Sequence, residues 1–475
     1  MPGSELRSTG RQAAGRFWPA GPPGYVLAGL LLAGVGLRLV AVIGWWPTAS
    51  TLDDGYQLYA ESNPFADPQH PAGYGLIVAA LGALTREVAV PVLLQHMVGV
   101  ASALLLFAAT RRVARSEWAG LLPAAIVLLN PDQIFLEHSI MSESWAVLTV
   151  SVGFYAVVRA FDDPDPWWRW PALGGGALAL GVAIRTAGLL AIPVALLALV
   201  LCRSQPFAAW RRHWQAPVAA AGVAAAVLLA FATANAGFGD RFGLGPSQGW
   251  YLYGRAAQFA DCDRFTPPPG TEVLCEDTPA SDRQGAYYYL FDPAAPAPRA
   301  YGGFGESDEL VGEWAKRAIR AQPGDYLGTT WEYLRAYWLS GLTPAGGTNL
   351  DPQLDFTAES LFEAEIERSL ESFYDPFTVD RDQPGLEFLR GWQEVFRFGG
   401  TALAVTTVLT LLGLFVGGRR SRVGALLFGI GGLALLVAPV LTGNYVGRYT
   451  VPLAGPLVAG SAIALVALWR RWSER

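Results

Sequence analysis

Two adjacent carboxylates, Asp53 and Asp54, stand just beyond the first long apolar run, in TLDDGYQLYAESNPFADPQHPAGYG. A carboxylate tethered a few residues past a membrane helix can act as general base at the bilayer surface, taking the proton of an acceptor hydroxyl. The plainer reading is a solvated acidic loop. A second group, Glu137, His138 and Glu143, falls in NPDQIFLEHSIMSESW, around the start of another apolar helix. Charges at such a boundary face water or a polar cavity in preference to lipid, although Glu143 at a helix start also favours the helix dipole. Arg185 in GVAIRTAGLL and Arg448 in TGNYVGRYTVPLAG sit at tight turns. An arginine on the side where positive charge is disfavoured wants a specific anion, and phosphate suits the guanidinium fork. An ion pair with a carboxylate of the polar region is the competing account. Arg38, deep in the first apolar run, either binds likewise, snorkels or forms a structural pair.

Other chemistries lack their signatures. The sequence has no phosphate-binding or dinucleotide glycine loop in a strand-to-helix context, no CxxC or HExxH metal motif and no nucleophile elbow. Of the histidines His70, His96, His138 and His213, only His70 and His138 are expected outside the membrane. Both read first as hydrogen-bonding groups, with a divalent metal held by His and Asp or Glu left open.

Helices must position these residues. A chain of 475 residues with 52% hydrophobic and only 16% charged residues is too apolar for a soluble protein of its size. The net charge is -6, with arginines flanking the apolar runs and acids gathered in one long polar stretch. Lys316 is the lone lysine, which suggests a GC-rich bacterial genome. Ten apolar runs approach the length that spans about 30 Å of hydrocarbon, near 25–46, 88–110, 117–135, 141–160, 170–185, 187–202, 216–235, 397–417, 423–442 and 449–469. Arg7, Arg11 and Arg16 precede the first, which is too long for a signal-peptide core and is read as an uncleaved span. Arg111, Arg112 and Arg115, then Arg203, Arg211 and Arg212, then Arg419, Arg420 and Arg422, and finally Arg470, Arg471 and Arg475 all fall on one side if both termini are cytoplasmic.

That topology predicts a cytoplasmic tail 1–24, a membrane module 25–235 with a first outer loop 47–87, an extracytoplasmic domain 236–396, membrane helices 397–469 and a tail 470–475. Within the first loop, Gly73 to Leu84 is too short to span and predicts a helix lying on or re-entering the membrane. The long stretch mixes turns with periodic segments at 306–322 and 325–339 and predicts a small helical or mixed α/β domain. Its aromatics, among them Trp250, Tyr251, Tyr287, Tyr288, Tyr289, Trp331 and Tyr337, either stack on sugars or serve packing and interfacial anchoring. Cys262 and Cys275 share this oxidising side and are expected to pair, leaving Cys202 at the far end of a span outside the bridge.

The arrangement resembles the GT-C superfamily of polyprenyl-phosphate-sugar-dependent glycosyltransferases, nearest the protein O-mannosyltransferase and lipid A aminoarabinose transferase branch. The marks are Asp53-Asp54 followed by Tyr56 and Ala60, then HPAGYG from His70, the ESW start of the fourth helix at Glu143, and RYTVPLAGP from Arg448. They cover the first two hundred residues or so and the last span. The pair is Asp-Asp where the family often has Asp-Glu, and His70 replaces a lysine or small polar residue.

The resemblance implies an all-α polytopic fold and an inverting transfer of a hexosyl or pentosyl group at the outer face. The base is Asp53 or Asp54, the donor phosphate falls to Arg185 and Arg448, and Tyr56, His70, Glu137, His138, Glu143 and Tyr449 are the substrate-contact candidates. Metal is commonly dispensable in this branch and essential in the oligosaccharyltransferase branch. The implied partners are a polyprenyl-phosphate sugar, a glycan, lipid or protein acceptor and the bilayer of a bacterial inner membrane, with no nucleic acid. Ten spans with intramembrane arginines also suit a transporter or lipid flippase, and an envelope-assembly scaffold is a third class. Asp53, Glu143, Arg185 and Arg448 converging on one cavity would favour the enzyme; a polar track through the midplane would favour transport.

Overall fold

Runs rich in leucine, alanine and valine satisfy their backbone polar groups most cheaply as helices when the surroundings are apolar. The computed structural model describes residues 18–47, 55–162, 166–202, 210–339, 356, 370–378, 384–443 and 446–474, and its regular elements are all helical, with no strand among them.

The first part of the chain forms α1 (Pro22–Gly44), the short α2 (Gly55–Ala60) and α3 (Ala72–Gly82), then α4 (Ala89–Ala114), α5 (Glu117–Leu129), α6 (Pro131–Glu137), α7 (Glu143–Asp162), α8 (Arg169–Ile184), α9 (Ala191–Cys202) and α10 (Trp210–Phe238). A polar insert follows with α11 (Gln248–Ala256), α12 (Ala286–Phe291), α13 (Pro296–Tyr301), α14 (Asp308–Ala321) and α15 (Pro323–Trp338). The chain closes with α16 (Pro384–Phe396), α17 (Gly400–Gly413), α18 (Arg419–Thr442) and α19 (Thr450–Ser473).

Among the described residues, six helices are long and apolar enough to cross a membrane, or up to eight if the bent pairs α5 with α6 and α16 with α17 each count as one span. By these helices the chain is a multi-pass membrane protein. The expected ten spans are not confirmed by this count: α8 has 16 residues, a length of about 24 Å at the helical rise, and α9 with its preceding turn is likewise among the shorter apolar helices. Nor do the described residues of the insert contain the β element that a mixed domain would need.

The break between α5 and α6 has a local cause. Pro131 disfavours the helical conformation at Asn130, which adopts ψ 118°. The Asn130 side chain then accepts from Asp132 N at 3.3 Å and starts α6 at a 55° bend. Close packing elsewhere depends on glycine. A Cβ at Gly175 of α8 would collide with the Ala220 carbonyl of α10, so only glycine lets these two backbones touch.

The arginine-rich ends gather at one end of the bundle. Arg420 grips Asp162 with both amino groups at 2.7 and 3.0 Å, Arg112 lies 3.7 Å from the same carboxylate, and Arg470 donates to the Arg115 carbonyl at 3.0 Å. The side chains of Arg203, Arg211 and Arg212 are outside the described set. Two main cores result: a bundle core including Leu106, Phe107, Phe154, Leu178, Phe428 and Leu457, and an aromatic core in the insert around Trp250, Tyr253, Tyr289 and Trp314. Cys262 and Cys275 are bridged in the insert, with Cα atoms 5.9 Å apart.

Candidate active site

At the bundle end opposite those arginines lies an open cleft of about 520 Å3, walled by the first loop, the 3-10 turn Thr186–Leu190, the end of α18, the turn before α19 and the insert. Each wall contributes through a helix terminus. α7 begins at Glu143 and α8 ends at Ile184, so Arg185, extended at φ -147°, projects from the break between α8 and the turn. Arg448 lies in the single 3-10 turn that leads into α19.

The two arginines meet one carboxylate. Arg185 donates from Nη1 to Glu143 Oε1 at 2.6 Å, and Arg448 Nε lies 3.4 Å from the same oxygen. Glu143 is fully buried, and its other oxygen has no hydrogen-bond partner among the described residues. Arg185 also donates to Ser142 Oγ at 2.9 Å, as does the Tyr56 hydroxyl at 3.0 Å, and its guanidinium sits 5.5 Å from the centre of the Tyr449 ring. With one carboxylate among two guanidiniums, the trio carries a net positive charge at the cleft wall. Such a wall favours an anion, and two forked donors side by side suit phosphate oxygens.

The competing account of these arginines, an ion pair with a carboxylate of the polar region, differs from the geometry in its partner, which is Glu143 at the head of α7. Glu143, Arg185, Arg448, Tyr56, His70 and Tyr449 are brought together, whereas Asp53 and Asp54 lie outside the described residues. His70 is anchored by a carboxylate that sequence reasoning missed. Asp67 Oδ2 is 3.0 Å from His70 Nδ1, and Asp67 Oδ1 accepts from Gln69 N at 2.7 Å and His70 N at 3.1 Å. This arrangement orients the imidazole, which lies against the Tyr56 ring with centroids 4.3 Å apart.

Glu137 and His138 go elsewhere. Both are fully buried, and neither lines the cleft. Glu137 is held by Arg38 at 2.7 and 2.8 Å, by Gln133 at 2.9 Å and by His96 at 3.1 Å; His138 bridges His96 at 3.0 Å and the Trp45 carbonyl at 2.7 Å. The α5–α6 bend turns this pair inward to the bundle, away from Glu143, so direct substrate contact, the sequence expectation for both, is not what the geometry offers. The missing side chain of Gly99 leaves room for the Glu137 carboxylate. Arg38 thus makes the structural pair that its position in an apolar helix allowed.

The insert holds the arginine turn by its backbone. Arg255 of α11, fully buried, donates to the Val440 carbonyl at 2.9 Å and to that of Gly443, with its guanidinium 3.9 Å from the centre of the Tyr333 ring. Burial lowers its hold on the proton, and the Tyr333 ring acts in the opposite direction. Tyr326 donates to the Leu441 carbonyl at 2.9 Å, and Tyr337 both donates to Val446 O at 3.0 Å and accepts from Val446 N at 3.1 Å. Arg255 and Tyr326 did not stand out in the sequence as part of a site, and Tyr337 did so only as one of several aromatics; for Arg255 the available signal was an arginine amid aromatic and small residues in GWYLYGRA. Among the described residues, no three His, Cys, Asp or Glu side chains are grouped to hold a metal ion.

Residues 91–238 match the family model for dolichyl-phosphate-mannose-protein mannosyltransferase. The match spans α4 to α10 and so contains Glu143 and Arg185 but not Arg448. No curated protein matches the sequence. Among solved structures, the oligosaccharyltransferase of Archaeoglobus fulgidus in its apo form is similar at 14% identity over 95% of this chain and 52% of its own, with a TM-score of 0.45. The same archaeal enzyme with an inhibitory peptide and dolichol-phosphate matches at 14% identity over 94% of this chain and 52% of that one, at 0.39. The S. cerevisiae protein O-mannosyltransferase Pmt1-Pmt2 complex bound to its sugar donor matches at 12% identity over 45% of this chain and 33% of that one, at 0.36. The chain thus spans between a third and about half of the length of these structures.

Proposed function

We propose that this chain is a membrane glycosyltransferase that moves a sugar from a polyprenyl-phosphate donor to an acceptor hydroxyl at the outer face of the membrane, with inversion. The convergence of Arg185 and Arg448 on one cleft, both within reach of Glu143, carries the reading. The arginines take the donor phosphate and stabilise the charge that grows on it as the bond to the anomeric carbon breaks. Glu143 holds both forks in place from behind, and the Tyr449 ring packs beside Arg185. Asp53 takes the proton of the attacking hydroxyl, with Asp54 as the second candidate. His70, fixed by Asp67, orients a hydroxyl or the sugar. The family match over α4 to α10 supports this reading, because the donor in that family's description is a lipid-phosphate-linked sugar.

The test is a transfer assay with purified protein and a panel of polyprenyl-phosphate hexoses and pentoses, alongside Arg448→Lys and Arg448→Ala. Lysine keeps the charge and loses the fork, so turnover should drop with lysine and nearly vanish with alanine. Donor affinity unchanged in Arg448→Ala would remove Arg448 from the donor site. Failure of every sugar in the panel to be transferred or hydrolysed would defeat the reading as a whole.

A further inference from the structure

The cleft has two chemically different sides. The Arg185 and Arg448 side is cationic, whereas the lining contributed by the insert, Gln248, Tyr251, Tyr287 and Phe291, carries no charge. Of its rings, Tyr251 and Phe291 are half-buried against the core of the insert and Tyr287 is exposed: Tyr287 is 43% accessible, whereas Tyr289, two residues on, is 1% accessible in that core. The α-helical turn of α12 separates these roles, sending Tyr287 and Phe291 to one face and Tyr289 to the other.

The rings that line the cleft are also fixed. Phe291 stacks on Phe304 with centroids 5.0 Å apart at 29°, Tyr251 meets the edge of Phe304 at 5.2 Å, and Tyr287 lies 4.9 Å from Phe291. Tyr251 is pinned further by its hydroxyl, which donates to the Gln69 carbonyl at 3.1 Å. The result is an ordered aromatic shelf with the amides of Gln69 and Gln248 at its border. A volume of about 520 Å3 lies within the range of about 300–1,000 Å3 that takes a drug-sized ligand, so the cleft has room beyond the phosphate.

We propose that this shelf is an acceptor subsite for a neutral sugar, so that the hydroxyl receiving the transferred glycosyl group belongs to a glycan. A sugar ring presents an apolar face of C–H groups and an equatorial rim of hydroxyls. The shelf answers both, with rings for the face and carboxamides for the rim. An anionic acceptor would find no partner on this side, and the arginines opposite are already committed to the donor phosphate. The inference rests on the reading above, because it names the acceptor of the same cleft.

Saturation-transfer NMR on the full chain in nanodiscs, with methyl glycosides of neutral hexoses and pentoses as probes, tests it without requiring turnover. Saturation of the aromatic protons should reach the ring protons of at least one glycoside. Affinity should fall about tenfold in Tyr287→Ala and persist in Tyr287→Phe, which keeps the ring. Absence of signal from every glycoside, or a signal untouched by Tyr287→Ala, overturns the proposal. So does a neutral serine- and threonine-rich peptide that displaces the bound glycoside and loses affinity in the same variant. Farnesyl phosphate binding, measured in parallel in wild type and Arg448→Ala, separates the two readings. If farnesyl phosphate binds and no glycoside does, the acceptor proposal alone falls. If glycosides bind and farnesyl phosphate does not, the donor reading falls and the shelf stands.

Discussion

At the residue scale, sequence neighbours separate into different jobs. Glu137, His138 and Glu143 read as one turn because they lie close in the chain, yet only Glu143 pairs with the arginines of the cleft. The proline at 131 bends the backbone, and a sequence shows that a helix breaks more readily than it shows which way the broken piece points. Arg38 and His96 give no hint of each other across their separation in the chain, so the buried network could not be assembled from spacing alone. Its energetics are testable. Glu137→Gln leaves the Arg38 guanidinium buried without its counter-charge, a change that costs about 3–5 kcal/mol, and the melting temperature in detergent should drop sharply. A melting curve that matches wild type would mean that Arg38 finds another partner or water. The acidic pair makes the opposite kind of prediction. Asp53→Asn keeps size and polarity but removes the proton acceptor, so turnover should fall by about a hundredfold or more while donor binding persists. If Asp54→Asn is the damaging change instead, the base is Asp54, and if neither matters the proposed transfer mechanism is wrong.

At the scale of elements, the apolar helices were the most legible part of the chain and the polar insert the least. Arg185 and Arg448 declared themselves because the other arginine clusters flank the opposite ends of the apolar runs, which makes an arginine at these short turns unexpected. The clamp of Arg255, Tyr326 and Tyr337 did not, because each reaches backbone carbonyls, and a backbone acceptor leaves no mark in the partner's sequence. This clamp joins α11 and α15 to the segment from Val440 to Val446, immediately before Arg448. Arg255→Leu preserves bulk but removes the donors, freeing that segment. Farnesyl phosphate affinity should weaken by roughly tenfold, as expected for loss of a hydrogen bond from a charged group. Tyr337→Phe should give a smaller change in the same direction. An unchanged affinity in both variants would show that the turn holds Arg448 without help from the insert.

At the scale of the whole molecule, two cores must coexist, one packed between membrane helices and one made of aromatics that meet edge to face in a polar region. The second is cross-linked by Cys262 and Cys275, the pairing expected from the two cysteines in the long polar stretch. A bridge closing a loop of this length contributes about 3 kcal/mol in the chain-entropy model. Cys262→Ser with Cys275→Ser should therefore speed hydrogen exchange in 262–275 and its aromatic neighbours while leaving α4 and α7 protected. Uniform acceleration across the bundle would contradict the independence of the two cores. The grip of the insert on the turn before α19 also imposes an order of events during synthesis. Arg255 leaves the ribosome well before Val440 and Gly443 do, so for that interval its guanidinium has none of the carbonyls that later satisfy it. It must wait in water or against a chaperone until α18 is threaded into the bilayer. Closure of the clamp is then a late step in biogenesis, and it brings Arg448, one of the two arginines proposed to take the donor phosphate, into register only after α18 has been made.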